Sequence, residues 1–200
     1  MEKFDKKQEI LDAAMQCLAR YGIIKSTMDD IAQVMGLKKP ALYYYYKNKE
    51  AIFLDAMTRE VDRFHQLADQ RTQRETSAAN KLTAVLKLYY EYFRDRAEWL
   101  ELNAQAAIDN HSLLRNIQKL NCQENRNLLS EYIQQGIDNG EFRNVDADHV
   151  ARVLHLSVQS QNLETIRQTA ENRETKLDYD KLEQDSLYIL ELFLNGIKRS

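Results

Sequence analysis

One proline and five glycines in 200 residues are far fewer than sheet edges and tight turns require. Their scarcity excludes a strand-rich architecture and predicts an all-α chain with few sharp loops. Cysteine is equally sparse. Cys17 and Cys122 give no disulfide framework, which fits a reducing, cytoplasmic setting. The N-terminus has no apolar signal core, and no stretch approaches the roughly 18 apolar residues of a membrane span, so neither secretion nor a membrane partner is expected. Catalytic signatures are missing as well. There is no glycine-rich phosphate loop and no nucleophile elbow. His65, His111, His149 and His155 lack metal-ligand spacing, the nearest pair being six residues apart. Cys17 falls on an apolar helix face, and the adjacent Asp29 and Asp30 suit a helix N-terminus better than acid–base work. The sequence therefore predicts no enzyme, no cofactor and no metal.

Hydrophobic residues make up 44% of the chain and charged residues 30%, enough to bury a core and keep a hydrated surface. The net charge of −3 is unevenly spread: residues 1–50 carry +2 and the remainder −5. A basic end on an acidic chain hints at a nucleic-acid-binding terminus. Helical periodicity starts early, with Ile10, Ala14, Cys17, Leu18 and Tyr21 on one face and Gly22 as the stop. In "STMDDIAQVMGL", Thr27 stands three residues before Asp30 in the form of a capping box. Ile31, Ala32 and Val34 then form a short helix ending at Met35 and Gly36. Another opens at Leu37 or Lys38, with Pro40 in its first turn, where a missing N–H costs little. Two short helices around a glycine-containing turn describe a helix-turn-helix, and equally a helical hairpin inside a bundle.

The next stretch, "KKPALYYYYKNKE", separates these readings. Four consecutive rings, Tyr43 to Tyr46, cannot all enter a core, because each helical residue turns about 100° from the last. Leu42 and Tyr46 share a face and can pack on the first helix. Tyr43 and Tyr44 then point away, on the side of Lys39 and the helix N-terminus, the end of a recognition helix that meets base edges in the major groove. Phenol hydroxyls can reach phosphates and rings can lie on thymine methyls. Lys47 and Lys49, just beyond, can neutralise backbone phosphates. Double-stranded DNA is the expected partner.

The segment "STMDDIAQVMGLKKPALYYYYKNKEAIF" resembles the DNA-binding segment of the TetR family of bacterial transcriptional regulators. The resemblance covers residues 8–57 and rests on the Thr27 cap, Ala32, Gly36, the Leu42–Tyr43 pair, the aromatic at 46 and Lys47-x-Lys49-Glu50. It implies an N-terminal three-helix DNA-binding domain, residues 1–50, joined to a larger helical domain, residues 51–200, that dimerises and binds an effector. By position, Lys39 resembles the family's base-contacting lysine, Tyr43 and Tyr44 its aromatic pair on base edges and phosphates, and Thr27 and Lys49 its phosphate contacts. Two positions depart from the pattern. Pro40 replaces a glycine or other small residue. Lys38 replaces a serine or threonine cap, placing a cation at a helix N-terminus where the dipole disfavours it. A nearby phosphate would relieve that cost, so Lys38 is also expected to touch DNA.

Beyond residue 50 the pattern gives helices but little chemistry. A long helix runs from Lys47 into the sixties with Phe53, Met57, Val61, Phe64 and Ala68 in one stripe, a lever between the domains. Residues 71–80 read as a loop, 82–100 and 113–137 as helices, and Asp146 as the cap of a helix through Val158. The polar run 164–176 reads as a loop before a final helix over 182–197. That helix is apolar over too wide an arc for one neighbour. With the 146–162 helix it is the candidate for a two-fold homodimer interface through Val150, Leu154, Val158, Leu187, Leu190, Phe193, Leu194 and Ile197, and the resemblance implies the same pair. Burial of both helices in a monomer core is the alternative. Tyr89, Tyr92, Trp99, Asn103, His155 and Gln159 are the candidate lining of a small-molecule effector pocket, apolar with a few polar tips, although each also suits a satisfied core position. The expected function is that of a homodimeric repressor released from a palindromic operator by an unidentified effector. The alternative is an architectural or protein-interacting DNA-binding regulator without that switch.

Overall fold

The computed structural model describes residues 2–94, 112–171 and 177–199. These hold eight helices and no strand: α1 (Glu2–Lys25), α2 (Met28–Val34), α3 (Lys39–Tyr43), α4 (Lys49–Thr72), α5 (Ala78–Arg94), α6 (Ser112–Asp138), α7 (Ala147–Glu171) and α8 (Tyr179–Ile197). The chain forms two compact units. The first includes described residues 2–63 and 112–119, and the second 64–94, 120–171 and 177–199. The all-α class expected from the scarcity of glycine and proline is what is observed.

In the first unit α1 packs on α2 and α2 on α3. The core is built from Ile10, Leu11, Ala14, Cys17 and Leu18 of α1, Ile31 and Ala32 of α2, Leu42 of α3, and Ile52, Phe53, Ala56 and Met57 of α4. Each large side chain here contributes about 1.5–3 kcal/mol by leaving water. The expected α1 stripe ends at Leu18, since Tyr21 is exposed. One turn on, Gly22 adopts φ 74°, ψ 164° and breaks the helix. A broken helix end leaves carbonyls without partners. Ser26, fully buried, donates its hydroxyl to Gly22 O at 2.7 Å and Cys17 O at 3.2 Å.

In the second unit α5 and α7 both pack on α8. A polar cluster crosses all three helices. The buried Tyr90 hydroxyl donates to Asn162 Oδ1 at 2.8 Å and lies 2.5 Å from Ser186 Oγ. Gln161 accepts from Ser186 and donates to Asp185. Such a network is costly if half-satisfied, so it fixes the register of the three helices. The Glu141 carboxylate caps α5, accepting from Ser77 Oγ and from the amides of Ala78 and Ala79. Beside it Phe142 is fully buried, its ring filling the space where a side chain on Gly136 would lie.

Helix α7 is longer than expected. The polar run after residue 163 continues the helix to Glu171 because it holds no glycine or proline. Its polar groups pair along the helix, Arg167 and Gln168 on Glu164 and Thr169 on the carbonyl of Thr165.

Candidate nucleic-acid interface

Thr27 precedes α2 in extended conformation (φ −122°, ψ 165°), and its Oγ1 accepts from the amide of Asp30 at 3.2 Å. Asp30 returns the contact, its Oδ2 accepting from Thr27 N at 2.8 Å and from the Thr27 hydroxyl at 2.7 Å. This completes the capping box read from the sequence, and these bonds hold the Asp30 carboxyl below its ordinary range. Gly36 takes φ 64° in the turn that follows α2, a left-handed conformation that favours glycine.

Helix α3 follows with Lys38 as its N-cap (φ −89°, ψ 143°) and no side-chain capping bond, which is the expected loss of the serine or threonine cap. Pro40 sits in the first turn. The tyrosines divide as the 100° rotation requires. Tyr46 is 6% exposed and Leu42 fully buried, whereas Tyr43 is 51% and Tyr44 70% exposed. Burial, and then a hydrogen bond with Asp55, pushes the Tyr46 hydroxyl well above an ordinary tyrosine, and Lys7 Nζ lies 5.1 Å from its ring centre. Tyr45 is intermediate and meets Tyr44 edge-on. Two large rings therefore stand outward at the end of α3, with the N-cap Lys38 at its opposite end and Lys47 exposed just beyond.

Two lysines already have partners. Lys39 Nζ lies 2.8 Å from Asp29 Oδ2, an ion pair across the turn between α2 and α3 that holds the lysine above its ordinary pKa. Lys49 Nζ donates to Ser26 O and Ile24 O at 2.8 Å and to Ile23 O at 3.3 Å. It thus satisfies the end of α1 left open by Gly22. An ammonium has three donors, so a phosphate at Lys49 would have to replace one of these carbonyls. Asp29 and the capping role of Lys49 were not legible from spacing, because both depend on contacts between helices.

In the second unit, the rings of Tyr89 and Tyr92 both meet Phe64 edge-on. Gln159 donates to Cys122 Sγ at 3.2 Å, and Arg126 donates to Cys122 O. His155 has its Nε2 buried with no hydrogen-bond partner among the described residues. Burial, and then the charge of Arg126, lower its pKa. Trp99 and Asn103 lie outside the described residues. Phe64, part of the apolar stripe read from the sequence, thus touches two of the candidate residues and Cys122 a third, the latter contact not being signalled by sequence pattern.

Seven of the eight expected interface residues face the core of their own chain. Leu154, Leu190, Leu194 and Ile197 are buried in the core of the second unit, and Val150, Val158 and Phe193 pack partly against it. Leu187 is half-buried. A helix apolar all round has two apolar faces, and the face formed by 190, 194 and 197 is already used inside the chain. Among the described side chains, the large apolar ones that α7 and α8 leave exposed are Leu156, Leu163, Tyr188 and Leu192.

Comparison with known proteins agrees with this geometry. Residues 10–56 match the family model of bacterial regulatory proteins, tetR family. The transcriptional repressor KstR2 of Mycolicibacterium smegmatis is 27% identical over 161 residues, covering 74% of each chain. A transcriptional regulator from Cytophaga hutchinsonii superposes with a TM-score of 0.80 at 25% identity, covering 97% of this chain and 99% of that one. FadR of Bacillus subtilis, solved in complex with stearoyl-CoA, shares the fold with a TM-score of 0.72 at 22% identity over 95% of this chain and 98% of that one. A capped α2, a glycine turn, a short α3 with outward tyrosines and the matches at both levels place this chain in the TetR family of bacterial transcriptional regulators.

Proposed function

We propose that the protein is a cytoplasmic homodimeric repressor that binds a palindromic double-stranded DNA operator through residues 1–50 and is released by a small-molecule effector held within residues 51–200. The observation that carries the DNA reading is the division of the tyrosine run. Tyr43 and Tyr44, 51% and 70% exposed, end a short helix whose N-cap is Lys38, and outward phenols on one helix with lysines suit base edges and phosphates. In this reading Lys39 reads a base edge, and Tyr43 and Tyr44 contact bases and phosphates. Thr27, Lys38 and Lys47 meet phosphates. Lys49 first supports the scaffold that presents them.

The dimer face in this reading consists of Leu156 and Leu163 of α7 with Tyr188 and Leu192 of α8, against the same surface of a second copy. The effector is a largely apolar molecule with a few polar atoms, suited to Phe64, Tyr89 and Tyr92 on one side and Gln159 and His155 on another. A protein of the same fold solved with stearoyl-CoA supports that choice. Helix α4 belongs to both units and is the direct covalent route between effector and DNA.

The test is selection of bound duplexes from a random-sequence pool by the purified full chain. Enrichment of an imperfect palindrome with half-sites about 10 base pairs apart is expected, because two related recognition helices enter successive major grooves. Recovery of no common sequence, or of isolated half-sites, would contradict the reading. For release, ligand affinity is measured by calorimetry with and without operator. A releasing effector binds more weakly when operator is present, by the same factor by which it weakens operator binding.

A further inference from the structure

We propose that Asp29 is a specificity-determining residue: by pairing with Lys39 it withholds that cation from the phosphates of arbitrary DNA while leaving donors for a base edge. The inference rests on Lys39 meeting DNA as proposed above. The two side chains belong to different helices, Asp29 to the first turn of α2 and Lys39 to the first position of α3, and they meet at 2.8 Å. Both are solvent-accessible, with side-chain exposures of 66% and 41%. The pair therefore lies at the surface offered to DNA rather than in the core. The fold does not need Asp29 for capping, since α2 is closed by Thr27 and Asp30.

Affinity for DNA of any sequence comes from cations that displace counterions from phosphates. A lysine paired with a carboxylate carries no net charge into that exchange, and transferring it to a phosphate swaps one anion for another. The bare Asp29 would then face a polyanion. A base edge places different demands. The ammonium has three N–H donors, and Asp29 takes one. The two that remain match the two acceptors, O6 and N7, that guanine presents in the major groove. Asp29 can keep its bond in that complex and orient the other two donors. The pair thus penalises a phosphate contact and leaves a base contact intact, which raises the ratio of specific to non-specific affinity. That ratio, rather than affinity alone, decides occupancy among a genome's competing sites.

The test uses the full chain and its Asp29→Asn variant, in which the amide can still accept from Lys39 and only the charge is lost. Binding is measured on a random-sequence duplex and on the operator selected by the wild-type protein, across a salt series. Asp29→Asn is expected to bind the random duplex about twofold to fivefold more tightly, the range an exposed ion pair represents. Its dependence of log affinity on log salt should steepen by about 0.9, one further phosphate. Operator affinity should change less, so the specificity ratio falls. In a Lys39→Ala background the same substitution should give no steepening. Equal gains on both duplexes, no gain on the random duplex, or a gain that persists without Lys39 would each overturn the proposal. Lys39→Ala alone separates the two levels. If it leaves operator affinity and the ratio unchanged, Lys39 does not read DNA and the inference falls with that reading. If it lowers operator affinity while Asp29→Asn has no effect, only the role of Asp29 is wrong.

Discussion

The ammonium of Lys49, at the first position of α4, lies 2.8 Å from the carbonyl oxygen of Ser26, and the same nitrogen reaches Ile24 O and Ile23 O. A charged donor at the open end of a helix satisfies both the missing hydrogen bonds and the partial negative charge there. Lys49→Met, which keeps the stem and removes the donors, is expected to cost about 1.5–3 kcal/mol of stability, the range for hydrogen bonds to a charged group. Urea unfolding of the two proteins measures it. An unchanged midpoint together with a salt dependence flattened by about 0.9 would instead identify Lys49 as a phosphate contact alone.

The tyrosine run predicts opposite outcomes within one turn of chain. Tyr46→Ala removes a buried ring held by Asp55 and is expected to cost about 3–5 kcal/mol, as large-to-small core changes do. Tyr43→Ala and Tyr44→Ala should each stay within about 0.5 kcal/mol of wild type in stability while weakening operator binding. Thermal melts and binding isotherms of the three variants separate stability from recognition, and equal stability losses at all three would refute the division.

The first unit was legible because its chemistry is local. Thr27 and Asp30 are three residues apart, Leu42 and Tyr46 four, and the consequence of each spacing follows from helix geometry alone. What was not legible joins distant positions. Lys49 closes a helix end more than twenty residues earlier, and Asp29 meets Lys39 across a turn. In α8 the pattern shows apolar residues on every side and does not say which face is used within the chain, so the sequence reading assigns Leu190 and Leu194 to the dimer face although the packing buries them in the core and leaves Leu192 exposed.

His155 predicts a pH dependence of stability. Burial, and then the charge of Arg126, lower its pKa from the ordinary 6.5. The unfolded chain therefore takes up a proton that the folded chain refuses, so stability rises with pH across the window below 6.5. The contribution is complete above 6.5 and is lost as pH falls from there through the folded-state value. His155→Leu should remove this component. Compared by denaturant midpoints at about pH 7.5 and pH 5, the variant is expected to lose less stability on acidification than wild type. A variant with the same acid loss would show that His155 does not contribute.

The apolar faces of α7 and α8 predict that neighbouring leucines have different fates. Tyr188 and Leu192 are 62% and 54% exposed and stand one turn apart on α8, while Leu190 and Leu194 between and beyond them are buried in the core. A glutamate at Leu192 meets water in the monomer and is destabilising only if a second copy covers that face. A glutamate at Leu190 places an unpaired charge inside the chain, a penalty of several kcal/mol whatever the assembly. Leu192→Glu is therefore expected to sediment as a folded monomer with near-wild-type helix content by circular dichroism. Leu190→Glu should lose the cooperative melting transition. Because two half-sites act together only when the recognition helices are joined, the Leu192→Glu monomer should also lose most of its preference for the full palindrome over one half-site. If Leu192→Glu remains dimeric, the interface lies elsewhere. If wild type is itself a monomer at micromolar concentration and still favours the palindrome, coupling through this face is excluded.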